Sequence, residues 1–344
     1  MDAKRLHIAF LKWNDPRVES AWKSMETPEM SPFLHFDYLR YTYHYTRRIK
    51  PLYRPRVACV FHNDEIVMLA ALKGSFNRRY WRMLGDIQGC DETNALWKIG
   101  LTPEEKNLVT RFFYDAVPEK LQLRRIQADS PLLSCIPEGR LAGRAEKTYV
   151  RIPVPEDPDE LLGSLSSSVR QNIRTAYNRM RRDGVDYRLE VFDAAHPVSD
   201  EVWGKIMDLY FDRLFSQYKS EKSHSWFSKR RMRRRYYKLK HDTLSLHYLL
   251  NSFIAVLWNG DRVMAFMNGL TTYDRTRVSI PRLAIDAGYR FYSPGYVLIT
   301  EVIRYIAAHP TLKELDLSRG DERYKLDMGG QVYSTADIEL KAVR

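Results

Sequence analysis

Cysteine is scarce: Cys59, Cys90 and Cys135 are the three in 344 residues. Their scatter excludes a disulfide framework, and no Cys-x-x-Cys pair or Cys/His cluster has metal-ligand spacing, so no metal is expected. The reading is three buried thiols in a reducing compartment. Long apolar runs are missing as well. No stretch approaches the ~18–20 uninterrupted apolar residues that cross a bilayer, and the segment from Met1 to Pro16 lacks the apolar core of a signal peptide. The expectation is a cytoplasmic protein, at most peripheral to the inner face of a membrane. Also absent are a Gly-x-Ser-x-Gly elbow, a Walker loop, a dinucleotide-binding glycine fingerprint and a His-Glu-x-x-His pair, and the nine histidines are dispersed.

What is present fits a packed protein of two domains. The chain is 44% hydrophobic and 28% charged, with 22 Tyr and 7 Trp. Lysine and arginine total 55 against 43 acidic residues, a net charge of +12. That excess favours an anionic partner: a phosphorylated cofactor, a nucleotide-linked sugar, RNA or anionic lipid.

A weak internal repeat divides the chain. Ala58 to Leu69 reads as strand, tight turn, strand, and so does Ile254 to Ala265. Asn63-Asp64 and Asn259-Gly260 are the expected turns, since these residues tolerate left-handed backbone. Val67-Met68 recurs as Val263-Met264. Pro153 to Pro158 breaks regular structure, so the halves are expected as residues 1–155 and 156–344. In the second half Val169, Ile173, Ala176, Tyr177 and Met180 fall on one helical face, ahead of Gly184 as a helix stop. Tyr187–Phe192 alternates as a strand and Glu201–Tyr218 reads as a helix. A strand over Arg277–Ile285, a Ser293-Pro294-Gly295 loop, a helix near Tyr296–Ala308 and a strand over Glu314–Ser318 follow. Val332–Val343 is expected to close that half.

Four strings in the second half carry a family likeness. They are Ser167-Ser-Val-Arg-Gln-Asn-Ile-Arg174, Asp286-Ala-Gly-Tyr289, Ser293-Pro-Gly-Tyr-Val-Leu298, and Leu315-Asp-Leu-Ser-Arg-Gly-Asp-Glu-Arg-Tyr-Lys325. With this order of elements they resemble the GNAT acyltransferases, and within them the CelD-like branch related to the FemAB peptidyltransferases. The first half resembles that pattern more weakly, through Ser31-Pro-Phe33, its hairpin and Met83-Leu-Gly85. The resemblance implies an α/β fold of tandem GNAT-like domains, each a twisted mixed sheet flanked by helices. It implies a degenerate, acceptor-side first domain and a catalytic second one. The expected reaction is acyl transfer from acyl-CoA to an amine or hydroxyl of an envelope or exopolysaccharide precursor, a glycan- or lipid-linked acceptor.

Such a reaction passes through no covalent enzyme intermediate. The protein must hold both reactants, stabilise an oxyanion, accept a proton and reprotonate the leaving group. Ser293, Pro294, Gly295 and Tyr296 are the candidate donor-binding residues, because a helix start offers free amides and positive potential to phosphate. The GNAT pyrophosphate loop reads Arg/Gln-x-x-Gly-x-Gly/Ala, and of its glycines this loop keeps Gly295. Aminoacyl-tRNA, the FemAB-type donor, is therefore the alternative. Tyr324 and Lys325 are candidates to meet the leaving group and the oxyanion, with Asp316 and Asp286 as further catalytic candidates. Arg170 and Arg174, one helical turn apart, and Arg319 and Asp321 are candidate substrate contacts. Each of these charges also reads as a surface ion pair or a solvated face. Lys229–Lys240 holds eight basic residues in twelve. It is the expected contact for tRNA or an anionic membrane, or else, in a non-catalytic GNAT-like module, for nucleic acid.

Overall fold

The computed structural model describes residues 1–49, 51–75, 80–87, 89–220, 230, 234, 247 and 249–343. The chain forms two compact units, Met1–Tyr149 with Tyr333–Arg344, and Val150–Val332. The closing residues, expected with the second half, thus return to the first unit. Ala336, Ile338 and Leu340 are buried in its core, which fixes where that strand belongs.

The strands are β1 (Leu6–Leu11), β2 (Arg54–His62), β3 (Glu65–Gly74), β4 (Tyr80–Met83), β5 (Leu96–Trp97), β6 (Lys120–Gln127), β7 (Leu141–Pro153), β8 (Tyr187–Phe192), β9 (Ser252–Asn259), β10 (Arg262–Thr271), β11 (Arg277–Ile285), β12 (Glu314–Arg319) and β13 (Gln331–Leu340). In the first unit the order is β1-β2-β3-β4-β6-β13, with β5 against β3. β4 and β6 run parallel, while β13 runs antiparallel to β6. Helices α1 (Pro16–Ser24), α2 (Phe36–Ile49) and α3 (Pro103–Ala116) accompany this sheet. A Thr102–Glu105 capping box starts α3, whose Val109, Phe113 and Tyr114 pack with Met68, Leu72 and Leu123.

After the short helices α4 (Pro131–Ser134) and α5 (Pro158–Ser164) come α6 (Ser167–Arg182), α7 (Asp200–Ser220), α8 (Pro294–Ala307) and α9 (Arg323–Asp327). The second unit's sheet runs β7-β12-β11-β10-β9-β8. The predicted stripe of α6 holds: Val169, Ala176 and Met180 are buried, with Ile173 and Tyr177 packed against the same core. Helix α8 adds Val297, Leu298, Ile299, Val302, Ile303 and Ile306 to that core. Each such side chain contributes about 1.5–3 kcal/mol on leaving water. Trp203, Ile206, Met207 and Tyr210 of α7 form a separate core with Ile254, Val256, Phe266 and Ala284. The mixed sheet is therefore covered on both faces.

Both hairpins exist, with one change in the second. Asn259 pairs with Arg262, so Gly260 and Asp261 make the turn, rather than Asn259 and Gly260. Gly260 takes φ +58° and Asn63 φ +54°, each the first residue of its turn. The return strand carries a bulge in both: at Val67 between the pairs Phe61↔Ile66 and Val60↔Met68, and at Met264 between Trp258↔Val263 and Leu257↔Ala265. Val67 and Met264 are each the fourth residue after the first turn residue. The repeat is thus structural, one residue out of step with the Val-Met match.

Two features of β11 prepare the site. Its parallel ladder with β12 ends at Ser279↔Asp316, although β11 continues to Ile285. At the same place Ile280 and Pro281 lie opposite the single residue Gly269 of β10, a bulge. A Cβ on Gly269 would lie 1.7 Å from the Ser279 carbonyl oxygen, so only glycine permits this approach. The bulge turns β11 away from β12 and, among the described residues, leaves one backbone edge of β11 unpaired.

Candidate active site

A pocket of about 1130 Å³ opens in the second unit beside that edge. Its walls come from α7 (Lys205, Asp208, Asp212, Arg213), the β9–β10 turn (Asp261, Arg262), the end of β11 (Leu283, Ile285), the segment from Asp286 to Tyr296, and Tyr324. Four cations and four carboxylates therefore face one cavity, with an apolar floor from β11.

The helix start is built from the chain's own geometry. Asp286 caps a 3₁₀ turn, accepting from the Gly288 amide at 2.8 Å. Its other oxygen lies 3.5 Å from the Arg262 guanidinium. Ser293 then enters the left-handed region at φ +49°, and Pro294 opens α8. The carbonyl of Ser293 accepts from the amides of Tyr296 and Val297 at 3.0 and 3.4 Å. Pro294 has no N–H, so Gly295 is the residue of this turn whose amide has no backbone acceptor among those described. One free amide, rather than several, is what this helix start offers an anion. Arg290, Ser293 and Gly295 occupy the first, fourth and sixth places of the Arg-x-x-Gly-x-Gly pattern. Serine replaces the first glycine yet adopts the backbone that glycine favours.

Tyr324 reaches the same pocket from α9. Burial, and secondarily the Glu322 carboxylate, push its phenol up to about 12, so it holds its proton at neutral pH. Burial first, then the Asp327 carboxylate, also raise the phenol of Tyr296.

The structure does not bring the other predicted residues to this pocket. Lys325 is 3% exposed, and its ammonium donates to the carbonyls of Arg319 at 2.7 Å, Gly320 at 3.1 Å and Ser318 at 3.4 Å. Glu322 adds a carboxylate at 2.9 Å. With its three N–H donors engaged, Lys325 ties down the turn after β12, where Ser318 (φ +61°) and Gly320 (φ +101°) are both left-handed. Expected beside an oxyanion, its ammonium is instead engaged by this turn, and Lys325 is not among the residues that line the pocket. Asp316 is buried where β11 and β12 part and accepts from the Ser318 amide at 2.8 Å. Arg319, the last residue of β12, and Asp321 on the turn that follows are exposed. Arg170 and Arg174 are exposed on α6, and the Arg170 guanidinium donates to the Gly163 carbonyl. None of these residues lines the pocket. The basic run Lys229–Lys240 lies outside the described residues apart from Arg230 and Arg234, both exposed.

Sequence reasoning missed Lys205, Asp208, Asp212, Arg213, Arg262 and Arg290. A signal existed for α7, since its buried stripe of Trp203, Ile206, Met207 and Tyr210 leaves residues 205, 208 and 212 on other faces. No helix N-cap or charge pattern, however, marks which of those faces borders a cavity. Among the described residues no helix is long and apolar enough to cross a membrane.

A family model for an acetyltransferase (GNAT) domain matches residues 167–326, a span holding every wall of this pocket. This part of the second unit is thus similar to a GNAT domain. The fold of the chain is similar to that of a conserved protein of unknown function from Bacteroides thetaiotaomicron (14% identity, TM-score 0.56, covering 97% of this chain and 100% of that one). It is similar also to L-PGS from Bacillus licheniformis (14%, 0.53, 97% and 94%). A third likeness is to a tandem GNAT protein from the clavulanic acid biosynthesis pathway (11%, 0.51, 97% and 97%). At these identities the likeness establishes the fold, that of tandem GNAT-like α/β units. No curated protein sequence matches the chain.

Proposed function

We propose that the protein is an acyltransferase whose donor, an acyl-CoA, lies in the pocket of the second unit and is attacked directly by an amine or hydroxyl of the acceptor. One observation carries this reading: a single open pocket joins a helix start at a left-handed Ser293, an unpaired strand edge and a protonated tyrosine. The donor's phosphates fit the Gly295 amide and the Arg290 guanidinium at the positive end of α8. Its amide-bearing arm fits the free edge of β11, where an extended chain finds backbone partners.

In the reaction the acceptor's lone pair forms a bond to the thioester carbonyl carbon and the carbonyl oxygen becomes an oxyanion. The oxyanion collapses, the C–S bond breaks, and the thiolate takes the Tyr324 proton. The acceptor's surplus proton passes to a carboxylate of the pocket wall or to water, which restores the tyrosine. Asp286 is the less available carboxylate, because both its oxygens already have partners. Asp208 and Asp212 face the cavity from α7. The CelD-like strings favour an envelope or exopolysaccharide precursor as acceptor.

Calorimetric titration with acetyl-CoA and longer acyl-CoAs tests the donor. Binding that weakens about tenfold in Arg290→Ala supports the reading. No binding of any acyl-CoA, with salt-sensitive binding of aminoacyl-tRNA, would replace it by tRNA-dependent transfer.

A further inference from the structure

The first unit has a cavity of its own, about 550 Å³, between the end of β1, the second half of α2 and the start of β2. Four cations meet there for local reasons. Leu11 pairs with Val57, so Lys12 follows beside Arg56. Arg54 and Arg56 are two residues apart on β2 and share a face of the strand. Tyr43 and Arg47 are one turn apart on α2.

Among the described residues no carboxylate lines this cavity, and the side chains of Lys12 and Arg47 have no hydrogen-bond, ion-pair or ring partner. The Arg56 guanidinium donates to the adjacent Pro55 carbonyl at 2.9 Å. The nearest acid along the chain, Asp15, is already clamped by Arg17 at 2.8 Å. Like charges gathered around one cavity repel unless an anion enters. The wall beneath them is aromatic and rigid: Trp13 stacks on Phe36 at 4.9 Å and on Tyr43 at 5.6 Å. Leu52, 70% exposed, stands at the rim.

We propose that this cavity binds a phosphate-bearing group attached to an apolar body. The arginine forks and the Lys12 ammonium hold the phosphate oxygens, and the apolar part lies against Leu52 and the tyrosine rings. The same chemistry comes from a soluble phosphate ester or from an anionic lipid headgroup. The inference is independent of the acyl-transfer reading, since it uses none of the residues of the second unit's pocket.

The test is calorimetric titration of the full chain with glycerol 3-phosphate, beside flotation with phosphatidylglycerol/phosphatidylcholine vesicles and with phosphatidylcholine alone. Arg47→Ala/Arg54→Ala is compared with the parent, both carrying exposed side chains, and circular dichroism verifies that the variant is folded. Expected is binding of one probe by the parent and at least about tenfold weakening in the double variant. Binding of the soluble ester without vesicle binding identifies a soluble ligand. Capture by anionic vesicles that is lost in Leu52→Ser identifies a lipid. A parent that binds neither probe, or a folded double variant that binds as the parent does, overturns the proposal.

Discussion

At the scale of single residues, Tyr324 and His247 show how burial sets protonation. The neutral phenol of Tyr324 is the form able to donate, and it persists up to about pH 12. Tyr324→Phe should lower kcat about 100-fold with little change in donor KM, the size of a lost general acid, as read by steady-state kinetics. His247 is buried against Trp203, ring centroids 4.1 Å apart, and burial lowers its pKa from 6.5 to about 4. Because the folded state holds this imidazole neutral, the stability it protects is intact above pH 6.5 and is lost as pH falls toward 4. The loss is at most about 3 kcal/mol. Thermal melting from pH 7 to 4 should show a decline that His247→Asn makes shallower. Ser293 supplies a third case. A non-glycine residue held left-handed costs about 1–2 kcal/mol, partly offset by glycine's greater freedom when unfolded. Ser293→Gly should therefore raise the denaturation midpoint by a gain of up to about 1 kcal/mol, with the slope unchanged.

Among the elements, β11 decides whether a site exists. Its first three residues pair with β12; the Gly269 bulge then lets the strand swing away and frees the edge that lines the pocket. Gly269→Ala places a methyl carbon inside contact distance of the Ser279 carbonyl. It should cost about 3 kcal/mol or more in chemical denaturation, or leave a chain that does not fold. Helices were the more legible elements. The stripe Val169, Ala176, Met180 and the stop at Gly184 (φ +66°) follow from a period of 3.6 and from glycine's freedom. Strand partnership is less legible, because a period of two states which face is buried but not which neighbour is paired. The Val-Met match therefore aligned the two hairpins one residue out of step.

For the molecule as a whole, the return of β13 is the deciding event. Thr335 to Leu340 complete the first unit's sheet against β6, more than 200 residues earlier in the chain (Gln122 meets Glu339 across a separation of 217). A chain ending at Gly330 should lose that unit's cooperative unfolding, with limited proteolysis cutting first within residues 1–149. Periodicity, turn chemistry and a few strings were enough to announce two α/β halves, a GNAT-like fold and a helix opening at Ser293-Pro294-Gly295, since each depends on neighbours along the chain. The fate of Lys325, the gathering of Lys205, Asp208, Asp212 and Arg290 around one cavity, and the home of the last strand depended on residues far apart in sequence. Whether a charge meets solvent, a carbonyl or a substrate depends on what the rest of the chain packs around it, and that is set only when the sheets close.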